Sequence, residues 1–471
     1  MYVFAFAILS AVILKPLAGP KFSVVGFDLH KPVALYGFFY FLYYVIPCLL
    51  LLSGNYLPQR NLLEIAGLVC LGYASFWAGI KLSRLRPPRN AYLSPSGFEK
   101  SGLVMLSAAG VVLVAAYHAW RISIGQFYTH AAFYHQASTV FASFMDVFVS
   151  QFQLPLILVL GLLARVMSRA PQGRRVRYLL YFYSIATFMV FVVASQFRMA
   201  VTALIFLLVA RRISGPFLLK VRHLLLITIV SLLALTIIEG FRSIVQSEDI
   251  ADSRNQLTFA VKRILPILSA SLGDWTSDVQ DPMIIRAIGQ PMFISEVIDA
   301  TDRGAPYPYG RDILNSMYAV IPRLFWPSKP EVQPLQLTIR ERYHLPLHDD
   351  SPGPLVEFFA EGGWPGVLLG FLAFGCGLGL LSQHSLSSNG IGPWIILLWV
   401  WSTVVQAETE LVLGIAATLR NALFVYLMYK ILAAGTQWLA PRDLTSTRGV
   451  VLPQCHGNPG RSLRVNLLRP S

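Results

Sequence analysis

Charge is scarce in this chain, and acidic charge is the scarcest. Of 471 residues only 13% are Asp, Glu, Lys or Arg, with 24 acids against 38 bases. The length alone would allow two or three soluble domains, but a soluble fold carries about a quarter of its residues as charges. Cysteine is rare as well: Cys48, Cys70 and Cys376 sit in apolar runs and Cys455 in the tail. Thiols so placed make neither a disulfide framework nor a C-x-x-C metal pair. No N-x-[ST] acceptor occurs, and no internal repeat of the kind common in secondary transporters is visible. Met1 to Ala18 lack the basic start of a cleavable signal peptide, so they are expected to form a first spanning helix.

Long hydrophobic runs take the place of charge. Apolar residues make up 55% of the chain and the mean hydropathy is +0.57. Runs of about 17 or more apolar residues recur, each long enough to cross the hydrocarbon of a bilayer as a helix. Such segments must satisfy their own backbone hydrogen bonds, which points to helices rather than a barrel. The expected fold is an all-α polytopic membrane protein with about 11 transmembrane helices and one large outer loop. The spans are placed near 2–18, 33–53, 62–82, 102–120, 142–164, 178–195, 198–213, 221–240, 354–381, 391–408 and 411–433.

The bases test that count. Net charge is +14, which in a soluble protein would raise nucleic-acid binding. Here the bases fall in every second loop: Lys21 and Lys31; Lys81 to Lys100; Arg165 to Arg177; Arg211 to Arg222; and the tail from Arg442. Basic loops face the cytoplasm, so the N-terminus is expected outside and the C-terminus inside, with no nucleic-acid partner. The loop after the ninth span carries no Lys or Arg and supports neither orientation.

Four regions follow: spans one to eight in 1–240, a large outer loop at 241–353, spans nine to eleven in 354–433, and a cytoplasmic tail at 434–471. The loop holds 11 Lys and Arg against 14 Asp and Glu, so it is not a misplaced cytoplasmic segment. Apolar residues at helical spacing in Leu257–Leu272 and Pro282–Ile298 predict amphipathic helices lying on the membrane surface. The proline-rich piece Ile321–Pro334 predicts an extended strap.

Residues able to carry chemistry gather at the outer rim. The short turn Ser195-Gln196-Phe197-Arg198 puts Arg198 at the outer boundary, where positive charge is disfavoured; snorkelling to water is the plain alternative. Arg242 follows Glu239 at the end of the eighth span, and a helix ion pair is its alternative role. Arg311 stands in Tyr309-Gly310-Arg311-Asp312, and Arg323 in Ile321-Pro322-Arg323-Leu324-Phe325-Trp326-Pro327. Guanidinium groups bind phosphate oxygens in bidentate fashion, so four near one interface fit a polyanion site.

The ninth span opens Gly353-Pro354-Leu355-Val356-Glu357-Phe358-Phe359-Ala360-Glu361-Gly362-Gly363-Trp364-Pro365-Gly366. Glu357 and Glu361 share a helix face near the boundary, where an ionisable group is costly; they either function or pair with loop arginines. Gly366 and Gly370 form a small-xxx-small pair suited to helix packing. His344 and His348, with Asp349 and Asp350, suit a proton acceptor better than a metal site. Glu408 and Glu410 do no more than solvate the last outer turn.

This order of motifs, S-Q-F-R, then Y-G-R-D-I-L-N and I-P-R-L-F-W-P-S-K-P, then G-P-L-V-E-F-F-A-E-G-G-W-P-G-V, resembles the bacterial oligosaccharide repeat-unit polymerases of the Wzy type. The resemblance covers about residues 190–380. It implies a glycosyltransferase C-like membrane fold acting at the periplasmic face of the inner membrane, in O-antigen or exopolysaccharide biosynthesis. Donor and acceptor would both be undecaprenyl-diphosphate-linked oligosaccharides, with a flippase and a chain-length regulator as partners. It implies that Arg198, Arg242, Arg311 and Arg323 hold the diphosphate, and Glu357 matches the acid of the span motif. The first outer loop, Ser53 to Arg60, lacks the acidic pair of metal-using relatives of this fold, so no metal or cofactor is expected. Glu357, His344 and His348 remain alternatives for the base. O-antigen ligases share the fold and hand the glycan to lipid A core. A transporter would carry charges along a central cavity, and an integral acyltransferase would need a histidine-centred motif at a helix end.

Overall fold

In a computed structural model the chain is helical, with no strand among the described residues. Those residues are positions within 36–54, then 57–83, 97–123, 140–168, 172–193, 197–215, scattered positions from 226 to 238, 280–321, positions within 326–333, then 335–345, 353–388, 390–405 and 411–439. The helices in order are α1 (Ile46–Gly54), α2 (Gln59–Ser83), α3 (Gly97–Ser123), α4 (Val140–Val166), α5 (Gln172–Val193), α6 (Phe197–Ile213) and α7 (Gln280–Asp302). Then come α8 (Arg311–Met317) with a 3-10 turn at Tyr318–Val320, α9 (Leu335–Tyr343), α10 (Pro354–Ser387), α11 (Gly392–Val405) and α12 (Leu411–Leu439).

Among the described residues, five helical stretches are long and apolar enough to cross a membrane: Gln59–Ser83, Glu99–Ser123, Gln172–Val192, Pro354–Ser385 and Gly414–Gly435. Helix α4 adds a shorter apolar stretch, Phe152–Val166. The chain is therefore a helical membrane protein. Helices α6 and α11, with 17 and 14 residues, reach only about 25 and 21 Å at 1.5 Å per residue. The expected span at 2–18 lies outside the described residues, and those at 33–53 and 221–240 are described only in part.

Two apolar cores form. One gathers α3, α4, α5, α6, α11 and the middle of α12 around Leu154 to Leu163, Phe206 and Trp399. The other gathers α1, α2, α7, α9 and α10. In the second, Tyr36, Tyr40 and Tyr44 recur every fourth residue and are fully buried against Tyr73, Phe76 and Phe371. The Tyr40 hydroxyl donates to the Val69 carbonyl at 2.8 Å, so its polar end is satisfied.

Helices α2 and α10 cross with their backbones nearly touching. A Cβ on Gly79 would strike the Leu372 carbonyl, and one on Gly375 would strike the Phe76 carbonyl. Small residues at such crossings let apolar helices gain dispersion contact where lipid offers no hydrophobic drive.

The segment between α6 and α10 refines one expectation. The segment Pro282–Ile298 is covered by protein over most of 289–298. It belongs to α7, which buries Phe293, Ile294, Val297 and Ile298 against α1, α2, α9 and α10. Asn61 of α2 donates to Ser295 Oγ and Asp299 Oδ1, both at 2.8 Å. An apolar stripe reads the same whether protein or lipid covers it, and here protein covers it. The Leu257–Leu272 stretch lies outside the described residues. Of the proline-rich piece, the described positions are non-helical, and the Lys329 ammonium donates to the Ile321 carbonyl at 2.8 Å.

Candidate functional site at a broken helix

Helix α10 is two helices joined at a break. Proline suits its first position, since that N–H would be unpaired anyway, and Pro354 stands there after Gly353. Two turns later Gly362 (φ −164°, ψ 22°) and Gly363 (φ 61°, ψ −143°) leave helical geometry. The positive φ at Gly363 favours glycine, and a Cβ there would also lie 3.1 Å from the Tyr307 ring. Pro365 then opens the second half. Hydropathy alone makes 354–381 one continuous span; the G-G-W-P-G run is the signal for the break.

A break strands the carbonyls at the end of the first half, and loop residues meet them. Tyr343 donates its hydroxyl to the Ala360 carbonyl at 2.6 Å, and the Tyr309 amide donates to the Glu361 carbonyl at 2.8 Å. Burial raises the Tyr343 pKa, with Tyr307 adding to it and Arg342 opposing, so the phenol keeps its proton for that bond. Irregular backbone at membrane depth is tolerated only where protein or a wet cavity covers it. The loop is that cover.

The two acids of the first half each meet the start of another helix. Glu361 Oε2 accepts from the Gly310 amide at 2.6 Å, at the head of α8. Glu357 Oε2 accepts from the Val412 amide at 3.2 Å, in the first turn of α12, and is 0% exposed. A carboxylate beside unpaired first-turn amides gains both hydrogen bonds and the favourable helix dipole. Beside a catalytic role or pairing with loop arginines, these acids thus have a third, holding role: capping.

Asp312 is buried and receives Arg342 Nη2 at 2.7 Å on one oxygen and 2.6 Å on the other. Nearby, buried Arg340 lies over the Phe293 ring at 4.3 Å, with Nη1 3.6 Å from Glu296. Beside these contacts a cleft of about 330 Å³ opens between Tyr309, Gly310 and Ile313 of the loop and Phe358, Pro365, Gly366 and Leu369 of α10. Gly366 and Gly370, expected to pack another helix, instead make room for Phe358 of their own helix: a Cβ on either would strike its carbonyl or ring.

Of the expected site residues, Arg311 is the exposed first residue of α8, next to the cleft-lining Gly310. Glu357 lies buried on the half-helix below it. His344, also exposed, follows α9 with φ 52°. Arg198 is the second residue of α6, a helix packed on α4 and α5; Arg242, Arg323 and His348 lie outside the described residues. The structure thus joins the Y-G-R-D segment to the E-F-F-A-E half-helix. The described residues do not join either to Arg198. Glu361 was singled out by its spacing of four from Glu357; its companions Asp312, Arg342 and Tyr343 were missed as a set and carried no sequence signal of their own.

A family model described as a domain of unknown function (DUF8712) matches residues 52–390. The chain belongs to this family. The DUF8712 match spans α2, residues 241–353 and the whole broken helix, so the docked pair described above lies inside the family region. No curated protein and no solved structure matches the chain.

Proposed function

We propose that this DUF8712 protein joins undecaprenyl-diphosphate-linked oligosaccharide repeat units into a polymer at the periplasmic face of the bacterial inner membrane. The reading includes eleven spans in a glycosyltransferase C-like arrangement, an outer N-terminus and a cytoplasmic C-terminus. The observation that carries it is the Gly310–Glu361 hydrogen bond. It seats Y-G-R-D on E-F-F-A-E-G-G, two motifs of the polymerase resemblance that lie some fifty residues apart in sequence.

In this reaction the acceptor hydroxyl attacks C1 of the donor sugar as the C1–O bond to diphosphate breaks, inverting the anomeric centre. The hydroxyl proton passes to a base, and undecaprenyl diphosphate leaves. Charge grows on the departing oxygens, so fixed cations there favour the transition state over the ground state. Arg311, exposed at the start of α8, suits that task, joined in the proposal by Arg198, Arg242 and Arg323. His344 is exposed and able to meet a substrate, and His348 is its neighbour in sequence. Glu357, buried on the Val412 amide, suits holding α12 in place more than taking a proton.

The test is purified protein mixed with lipid-linked repeat unit and a chelator, with products resolved as a ladder. A ladder is expected without added metal. Arg311→Ala should lose at least about 100-fold of it, the scale of one lost electrostatic contact to a developing charge, while remaining monodisperse. No ladder from the parent protein, or an undiminished one from Arg311→Ala, removes the proposal; glycan transfer to lipid A core instead would mark a ligase.

A further inference from the structure

The segment Tyr309–Ile321 presents two unlike faces. Inward, Asp312 and Ser316 are buried, Asp312 holding Arg342. Outward stand Tyr309, 82% exposed, and Leu314, 67% exposed, followed by exposed Met317, Tyr318 and Ile321. A polar loop helix facing water would show the opposite pattern. Arg311 and Asn315 are the only polar side chains on the outward side of α8, by helical spacing and exposure.

We infer that this segment lies in the plane of the outer leaflet, with Leu314, Met317 and Tyr318 in the acyl-headgroup boundary and Arg311 at the level of the lipid phosphates.

Three observations favour lipid over a protein partner. First, α8 and its 3-10 turn pack on α12, and Glu357 ties the first turn of α12 to the half-helix that also carries the segment. The segment therefore sits where two membrane helices begin or break. Second, the outward face is continuous with lipid-facing surface: Tyr309 and Ile313 line one cleft together with Leu369, an exposed leucine of the spanning half of α10. Third, the composition is interfacial. Tyrosine sits at the headgroup boundary with its ring in the apolar layer, and arginine extends its guanidinium to phosphate over an apolar stem. A contiguous apolar patch left in water would invite association. A bilayer removes that penalty without any partner.

This inference stands apart from the sugar reading, because it concerns placement and needs no substrate. The test uses the full chain in vesicles of phosphatidylethanolamine and phosphatidylglycerol. Leu314→Cys and the water-facing control Glu341→Cys each receive an environment-sensitive fluorophore, with unsubstituted protein as the blank for the native cysteines. At position 314 the emission should shift to the blue. Quenching by lipid nitroxides at the shallow acyl position should be at least twofold stronger than at 341, and quenching by iodide at least threefold weaker. If Leu314→Cys is not monodisperse, Met317→Cys carries the same measurement. Equal iodide quenching at both positions overturns the inference in favour of a water-facing loop. Protection from iodide and from lipid nitroxide alike overturns it in favour of a protein cover.

Discussion

The core of α3–α6, α11 and α12 buries chiefly aliphatic side chains, and few of its polar groups are asked to do more than bond within their own helix. The core of α1, α2, α7, α9 and α10 buries three stacked tyrosines, two glutamates, an arginine and a helix break. An aliphatic core asks its sequence for apolar volume, and many sequences supply that. The second core asks for particular donors at particular acceptors, because each buried polar group left unpaired costs about 1–3 kcal/mol. The loop belongs to the second core alone. It closes the break, and the break gives the loop its docking surface.

The largest effect should come from the α2–α10 crossing. Gly79→Leu must push apart two backbones already in contact, so we expect a loss of about 3 kcal/mol, the upper part of the overpacking range. Gly377→Leu, in α10 itself but with nothing within 4 Å of its added Cβ, should melt with the parent protein. Thermal melting in detergent checks both; equal melting of the two variants would dissolve the distinction between a specified crossing and a generic one.

Next in size is the Asp312–Arg342 pair. Either single change to Ala leaves a charged partner in a half-dry site and should cost about 2 kcal/mol. The double variant should cost at least about 1 kcal/mol less than the two singles summed, the signature of a direct contact. Unfolding titrations on the four proteins give the cycle, and strict additivity would mean that the pair is not formed.

Glu361 gives a smaller and more local effect. In Glu361→Ala the Gly310 amide loses its acceptor, and exchange at the amides of 310–313 should rise about tenfold, equivalent to about 1.4 kcal/mol. Glu361→Gln keeps an oxygen there and should rise only two- to threefold. Matching exchange in Ala and parent proteins would show that the loop is held by Arg342 and Tyr343 alone.

Five spanning helices were legible because their apolar runs exceed the bilayer and are bounded by bases or breakers. The placement of the loop was not. Residues 282–298 show an apolar stripe, and no local pattern says whether lipid or a tyrosine-rich helix will cover it. The break at Gly362–Gly363 was written in the G-G-W-P-G run, yet a hydropathy window averages across two glycines. Arg311 was singled out as one of four rim arginines and Glu357 by charge at costly depth, and the structure does bring their segments together. Arg342 gave no such warning: it lies in an ordinary polar stretch, and its value arises only when α9 packs beside α8, which presents Asp312.

The smallest effect tests where the second core meets water. Arg60 at the start of α2 pairs with Asp302 at the end of α7 at 2.8 Å, with side chains 73% and 43% exposed. Its distance is close to those of Arg342 with Asp312, so distance alone would rank them alike. Exposure decides otherwise: water screens both charges, and holding two long side chains together costs entropy. Arg60→Ala should therefore change stability by less than about 0.5 kcal/mol, and 0.5 M salt should shrink the difference further. A loss above about 1 kcal/mol would mean that headgroups, not bulk water, surround this pair. The dry side of the molecule would then extend past the end of α7, and the boundary between the two kinds of core would move outward by a helical turn.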